Sequence, residues 1–291
     1  MPTFTTYDGT ELAYHLQGEG EPLVCVPGGA MRASAYLGDL GGLADGRRLI
    51  LLDLRGTGDS GMPADESTYR VDHQVGDVEA LRAHLGLERM DLLAHSAGGN
   101  LAQLYAAAHP ERLRRTVLVT PTAWAVDLPV TPEQRMEAAR LRAGSEPYDT
   151  AIDAYERILA DAGAGAGGGG GGGEADWDLA APLFYGRWDA AARAHCAANA
   201  HQQNEKAAEA YAGPGAFDPP ATRAGLRRVS GEVLVLAAEL DGNPRPVLAA
   251  ELAGLFRRGA VDVQPRAGHF PWLDDPGWFS ARVERFLASG V

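Results

Sequence analysis

Cysteine is almost absent from these 291 residues, with Cys25 and Cys196 the only two. So low a thiol content excludes a disulfide-built scaffold and suits a reducing compartment. Cys25 lies in an apolar strand pattern, where a thiol serves as a small buried hydrophobe. Lysine is scarcer still: Lys206 stands alone among 26 basic residues, a bias towards arginine that carries no functional weight. Long apolar runs are missing as well, and nothing approaches the roughly 20 residues a membrane helix needs. The opening Met1-Pro2-Thr3-Phe4-Thr5-Thr6 has neither a basic region nor an apolar core, so no signal peptide is expected and the cytoplasm is the expected location. Positive charge is also in deficit, 26 basic against 39 acidic residues for a formal charge of −13. Nucleic acid and anionic membranes both favour a basic face, so neither is an expected partner.

What remains is an ordinary globular composition, 45% apolar and 22% charged, with length enough for one large core carrying an insertion. Short apolar strand candidates recur at 12–16, 23–26, 49–52, 91–94, 116–119, 233–237 and 261–264. Helical patterns lie between them at 71–85, 101–108, 246–255 and 278–287. Strands alternating with helices predict an α/β fold, a mostly parallel central sheet flanked by helices, with its chemistry at the carboxyl ends of the strands. Between Thr120 and Arg228 the alternation stops, and helical periodicity at 132–143, 150–160 and 188–211 predicts a helical insertion. The expected division is a core of residues 1–120 and 229–291 with a helical cap or lid over 121–228. Trp124, Trp177, Phe184, Tyr185 and Trp188 are either pocket lining or the cap's own core. A glycine tract at 163–173 interrupts the cap. No Gly-Lys-Ser/Thr follows it and no strand precedes it, which excludes a phosphate loop and predicts a flexible tether.

The segment that carries chemistry is Met90-Asp91-Leu92-Leu93-Ala94-His95-Ser96-Ala97-Gly98-Gly99. An apolar strand enters a small-x-Ser-x-Gly turn and a helical pattern follows at once, the context of a nucleophile elbow. Small neighbours let the serine sit exposed above a helix N-terminus, which favours developing negative charge. A serine hydroxyl needs a base and a group to orient that base. Of eight histidines, His269 in Ala267-Gly268-His269-Phe270-Pro271-Trp272 follows the last strand candidate in a loop able to project over the sheet edge. His95 adjoins the serine but leaves the elbow in another direction. For the acid, the strand 233–237 runs into a turn bearing Asp241, with Glu239 as the alternative; Asp274 and Asp275 read as caps of the helix that follows. The chain order Ser96, Asp241, His269 is a hydrolase order. Two backbone N–H groups should complete an oxyanion hole: Ala97, and Gly29 in Val26-Pro27-Gly28-Gly29-Ala30, with Gly28 the fallback.

Assembled, these residues resemble the α/β-hydrolase superfamily over nearly the whole chain. The nearest likeness is its capped branch of prolyl aminopeptidases and small bacterial esterases. Asp53-Leu54-Arg55-Gly56-Thr57-Gly58-Asp59-Ser60 is similar to that branch's D-x-R-G-x-G-x-S loop, and the resemblance implies a structural role there, with Arg55 organising the loop. Residues 268–276 resemble its histidine loop. Members commonly carry His-Gly where this chain has Pro27-Gly28. Prolyl aminopeptidases usually show Gly-Gly-Ser-Trp-Gly at the elbow, whereas this chain has Ala-His-Ser-Ala-Gly. The expectation is a serine hydrolase without metal or cofactor, acting on a small-molecule carboxylic ester, lactone or thioester. A prolyl aminopeptidase is the alternative, with Glu205 and Glu209 as holders of the substrate ammonium. A hydrolase-fold protein with a binding or non-hydrolytic role in secondary metabolism is the other.

Overall fold

Two-residue alternation along the strands sorts the apolar side chains onto two faces of one sheet. A computed structural model describes residues 1–144, 146–161 and 173–288. Its strands are β1 (Thr3–Thr5), β2 (Glu11–Gln17), β3 (Glu21–Val26), β4 (Arg47–Leu52), β5 (Met90–His95), β6 (Leu113–Val119), β7 (Glu232–Ala238) and β8 (Gly259–Gln264). They form an eight-stranded sheet in the order β1-β2-β4-β3-β5-β6-β7-β8. β1 and β2 are antiparallel to their neighbours, and all pairs from β4–β3 to β7–β8 are parallel. Every expected strand is present. β1 escaped prediction because three residues, Thr-Phe-Thr, carry no period.

The helices are α1 (Val75–His84), α2 (Gly98–Ala108), α3 (Pro132–Arg140), α4 (Tyr148–Asp161), α5 (Glu174–Ala180), α6 (Ala190–Ala197), α7 (Glu205–Tyr211), α8 (Pro219–Leu226), α9 (Pro246–Ala253), α10 (Pro271–Asp274) and α11 (Pro276–Ala288). On one face Val24, Ile50, Leu92, Leu118 and Val235 meet Val78 and Leu81 of α1, Leu101 and Tyr105 of α2 and Leu252 of α9. On the other, Cys25, Leu51, Leu93, Val117 and Leu234 meet Phe279, Val283 and Phe286 of α11. Both faces are therefore dry, as a parallel sheet requires. Cys25 is fully buried, and neither cysteine is in a disulfide. Among the described residues no helix is long and apolar enough to cross a membrane.

The segment expected as one helix over 188–211 is broken. Asp189 caps α6 through the Ala192 N–H, and Asn204 caps α7 through the Ala207 N–H. After a 3₁₀ turn at Ala198–His201 the chain straightens to pair with residues 31–33: Asn204 donates to the Met31 carbonyl and Ala33 to the Gln202 carbonyl. A helix through this point would forfeit those bonds. α7 then buries Ala207 and Tyr211 in the main core, and the Tyr211 hydroxyl donates to the Ala97 carbonyl at 2.7 Å. α8 rests on α2, where a Cβ on Gly225 would lie 2.5 Å from the Ala107 Cβ. Met136, Ala151, Tyr155, Ile158 and Leu183 form a separate small core. The glycine tract, apart from Gly173, lies outside the described residues.

Candidate active site

Ser96 follows directly on β5 with φ at 52°, in the left-handed region that a side chain rarely adopts. Holding a non-glycine residue there costs about 1–3 kcal/mol, so the surroundings must enforce it. The Ser96 N–H donates to the Val119 carbonyl at 3.1 Å, and the Ser96 carbonyl accepts from the Thr122 N–H at 2.9 Å. Space explains the flanking glycines. A Cβ on Gly98 would lie 2.3 Å from the Pro27 carbonyl oxygen, and one on Gly99 would lie 2.5 Å from the Pro121 Cβ.

The three residues expected to cooperate meet in one line. His269 Nε2 lies 2.8 Å from Ser96 Oγ, and His269 Nδ1 lies 2.8 Å from Asp241 Oδ2. Asp241 follows β7 in a turn closed by its own N–H on the Ala238 carbonyl, and its other carboxylate oxygen accepts from the Asn243 N–H. Glu239, the alternative acid, is exposed and accepts from the Arg266 N–H, so the turn leaves Asp241 to the histidine. Ser96, Asp241 and His269 are 8%, 3% and 9% exposed, which strengthens the polar bonds among them by excluding water.

Backbone bonds fix the histidine loop. The His269 N–H donates to the Phe184 carbonyl at 2.8 Å, and its own carbonyl accepts from Thr120 Oγ1 and from His95 Nε2. Asp274 takes a different part from the expected cap. Its carboxylate accepts the N–H groups of Gly268, Gly186 and Arg187, tying the histidine loop to the chain beyond α5, while Asp275 alone meets the Trp278 N–H of α11. Burial raises the Asp274 carboxyl above its usual range against the pull of those donors. Beyond α3, Arg142 donates to the Leu240 carbonyl beside Asp241 and to the Tyr185 carbonyl. The segment between α3 and α6 is thereby bonded to both the Asp241 turn and the His269 loop.

The Pro27–Ala30 loop lies against the elbow: a Cβ on Gly28 would sit 2.8 Å from both the His95 carbonyl oxygen and the Ser96 Cβ. The Gly28 N–H is spent on the Tyr36 hydroxyl at 2.7 Å, which removes the fallback oxyanion donor. No acceptor among the described residues takes the N–H of Gly29 or Ala97. His95 is buried with both ring nitrogens engaged, by Tyr36 OH and by the His269 carbonyl. Burial, and then the neighbouring His269, hold its imidazole well below the usual histidine value.

Of the aromatics singled out in the sequence, Phe184 reaches the site, its ring centroid 6.4 Å from that of His269. Trp177 packs on Phe184, Tyr185 on Phe270 and Trp188, and Trp124 on Phe217. Glu205 and Glu209 are exposed on α7, whose buried residues are Ala207 and Tyr211. Arg55 is fully buried and bonded to Asp77, Asp8 and Thr68, the loop-organising position expected of it. The roles of Tyr36, Thr120, Arg142 and Asp274 escaped the sequence because each bonds to a residue far away along the chain, His95, His269, Leu240 and Gly186 respectively. The sharp turns at Gly28 and Gly268 were the only signal near them.

The family model for the alpha/beta hydrolase fold matches residues 21–276. A proline iminopeptidase of Lactobacillus helveticus (strain DPC 4571) is 40% identical over 117 residues, a match that covers 38% of this chain and only 40% of the length of that relative. An esterase from Exiguobacterium antarcticum superposes with a TM-score of 0.71 at 18% identity, over 99% of both chains. The proline iminopeptidase of Mycobacterium smegmatis superposes with a TM-score of 0.72 at 24% identity, over 98% of this chain and 97% of that one. By its strand order, its serine turn and this family match, the chain belongs to the α/β-hydrolase fold family.

Proposed function

We propose that the protein is a serine hydrolase that cleaves small carboxylic esters, lactones or thioesters through an acyl-enzyme, with residues 121–228 as a cap over the site. The observation that carries this is the line from Ser96 Oγ through His269 to Asp241, with 2.8 Å at each step, at a strained serine turn. Ser96 Oγ attacks the substrate carbonyl carbon while His269 Nε2 takes the hydroxyl proton. Asp241 accepts the Nδ1–H, which fixes the tautomer and stabilises the imidazolium. The carbonyl oxygen becomes an oxyanion and accepts from the N–H groups of Gly29 and Ala97. Each such donor is worth about 2.7–4 kcal/mol in the transition state. His269 then returns the proton to the leaving alcohol or thiol. In the second half it removes a proton from water, which attacks the acyl carbon and releases the acid and Ser96.

The peptidase alternative draws support from the segment 40% identical to the Lactobacillus helveticus proline iminopeptidase. It is weakened by the exposure of Glu205 and Glu209. Steady-state hydrolysis of p-nitrophenyl acetate, butyrate and octanoate, set beside proline-β-naphthylamide, separates the two. The ester reading expects kcat/KM on a short acyl ester to exceed that on the amide by at least about 100-fold, a difference near 2.7 kcal/mol in the barrier. Equal or greater turnover of the amide overturns it.

A further inference from the structure

A buried polar line that the acyl-transfer steps leave unused connects the oxyanion loop to the histidine loop. It runs from the Gly28 N–H to the Tyr36 hydroxyl at 2.7 Å, on to His95 Nδ1 at 2.7 Å, and from His95 Nε2 to the His269 carbonyl oxygen at 2.9 Å. Tyr36 and His95 are 5% and 1% exposed. The proton positions follow by elimination. A carbonyl oxygen only accepts, so His95 Nε2 carries a hydrogen. In a neutral ring Nδ1 is then bare and takes the Tyr36 proton, while a lone pair on the Tyr36 oxygen accepts from Gly28. Burial keeps the ring neutral, and the charged or titratable groups facing it, His269, His195 and Arg32, add to that effect. Every donor and acceptor along the line is matched in this one arrangement.

Tyr36 is itself held from outside the line. The Arg32 guanidinium lies 4.4 Å above its ring, and His195 Nε2 lies 3.1 Å from its backbone carbonyl. The Gly28 segment is therefore fixed on both sides, by the His95 carbonyl and Ser96 Cβ towards the elbow and by the Tyr36 hydroxyl away from it. We propose that Tyr36 and His95 are positioning residues that set the Gly28–Gly29 loop and the His269 loop at a fixed separation across Ser96. This rests on the serine-hydrolase reading. Neither residue touches substrate. Their effect is to hold the Gly29 N–H and His269 Nε2 in register, so that the oxyanion donor and the base act on one carbonyl. Losing the Tyr36 hydroxyl leaves the Gly28 N–H and His95 Nδ1 unpaired in a dry region, and the loop is free to seek another acceptor.

The test compares wild type with Tyr36→Phe, His95→Leu and His95→Gln on p-nitrophenyl butyrate, alongside the rate of labelling by a fluorophosphonate and thermal melting. A displacement near 1 Å costs about 100-fold in rate, so Tyr36→Phe is expected to lower kcat about 10- to 100-fold with KM within about twofold. Labelling should slow in parallel. His95→Gln, whose amide can still donate to the His269 carbonyl, is expected to recover part of what His95→Leu loses. A measurement on wild type needs no variant to fold: ¹⁵N chemical shifts should report His95 as the neutral Nε2–H tautomer from pH 5 to pH 9. The proposal is overturned by a folded Tyr36→Phe with wild-type kcat and labelling rate, or by His95 shifts of the Nδ1–H tautomer. Failure of wild type to label at Ser96 would sink the hydrolase reading itself, a separate result.

Discussion

One methyl group at Gly28 should separate folding from catalysis. Its Cβ would lie 2.8 Å from the His95 carbonyl oxygen and 2.8 Å from the Ser96 Cβ, both parts of the rigid strand-to-helix turn. Carbon contacts are comfortable at about 3.5–4.0 Å, so the loop must retreat by roughly 1 Å. It retreats towards Tyr36, already at hydrogen-bond distance from the Gly28 nitrogen, and carries the adjoining Gly29 N–H with it. An oxyanion donor moved by that much is effectively lost, which costs about 2.7–4 kcal/mol or 100- to 1,000-fold in kcat. Ground-state binding depends little on that donor, so KM should change by no more than about threefold. The assay is steady-state hydrolysis of p-nitrophenyl butyrate by Gly28→Ala, with near-ultraviolet circular dichroism to show a folded protein. A well-folded Gly28→Ala within about twofold of wild-type kcat would refute the oxyanion assignment, because the required displacement could not have spared the donor.

Other outcomes follow from the same contacts. Asp241→Asn presents an amide where His269 Nδ1–H needs an acceptor, and kcat on esters should fall about 10⁴-fold with the melting temperature little changed; a loss under about tenfold would point to a different acid. Arg55→Leu leaves Asp77, fully buried, without its counter-ion and should cost about 3–5 kcal/mol in denaturant unfolding, while the folded fraction keeps near-normal kcat. Stability should also fall on acidification below about pH 6.5, because the unfolded chain protonates His95 at its ordinary value while the folded chain holds that pKa well below it. Here the unfolded state binds the extra proton, so stability rises with pH across this window, by about 1.4 kcal/mol per pH unit for one such group. His195, pushed down to about 4 by burial and then by Arg32, acts in the same direction. Urea unfolding at pH 5, 6, 7 and 8 checks the slope, and His95→Gln should reduce it to the part carried by His195.

The parts of this protein legible in the sequence are those written in contiguous residues. Strands β3 to β7 declare themselves by apolar runs, and the serine turn by small residues packed into a reversal too tight for others. Asp241 and His269 were reachable because each follows a strand at the same sheet edge. Backbone N–H directions were not legible. Gly28 and Gly29 look alike in sequence, and it is the Tyr36 hydroxyl, taking the Gly28 N–H, that separates their backbone donors. Asp274 read as a helix cap because local capping is the commonest use of such a residue, yet besides the nearby Gly268 N–H it accepts from Gly186 and Arg187, 88 and 87 residues away. The break between α6 and α7 is likewise tertiary in origin, imposed by pairing with residues 31–33 against an otherwise helical sequence. Long-range hydrogen bonding is what local period and propensity do not encode.

The central claim is that Ser96 is an activated nucleophile. The direct measurement is labelling with a fluorophosphonate followed by peptide mapping, on wild type, Ser96→Ala and His269→Ala. The account predicts one adduct on the peptide carrying Ser96, none in Ser96→Ala, and labelling slowed at least about 1,000-fold in His269→Ala. An adduct on another residue, or labelling of His269→Ala at the wild-type rate, would contradict it.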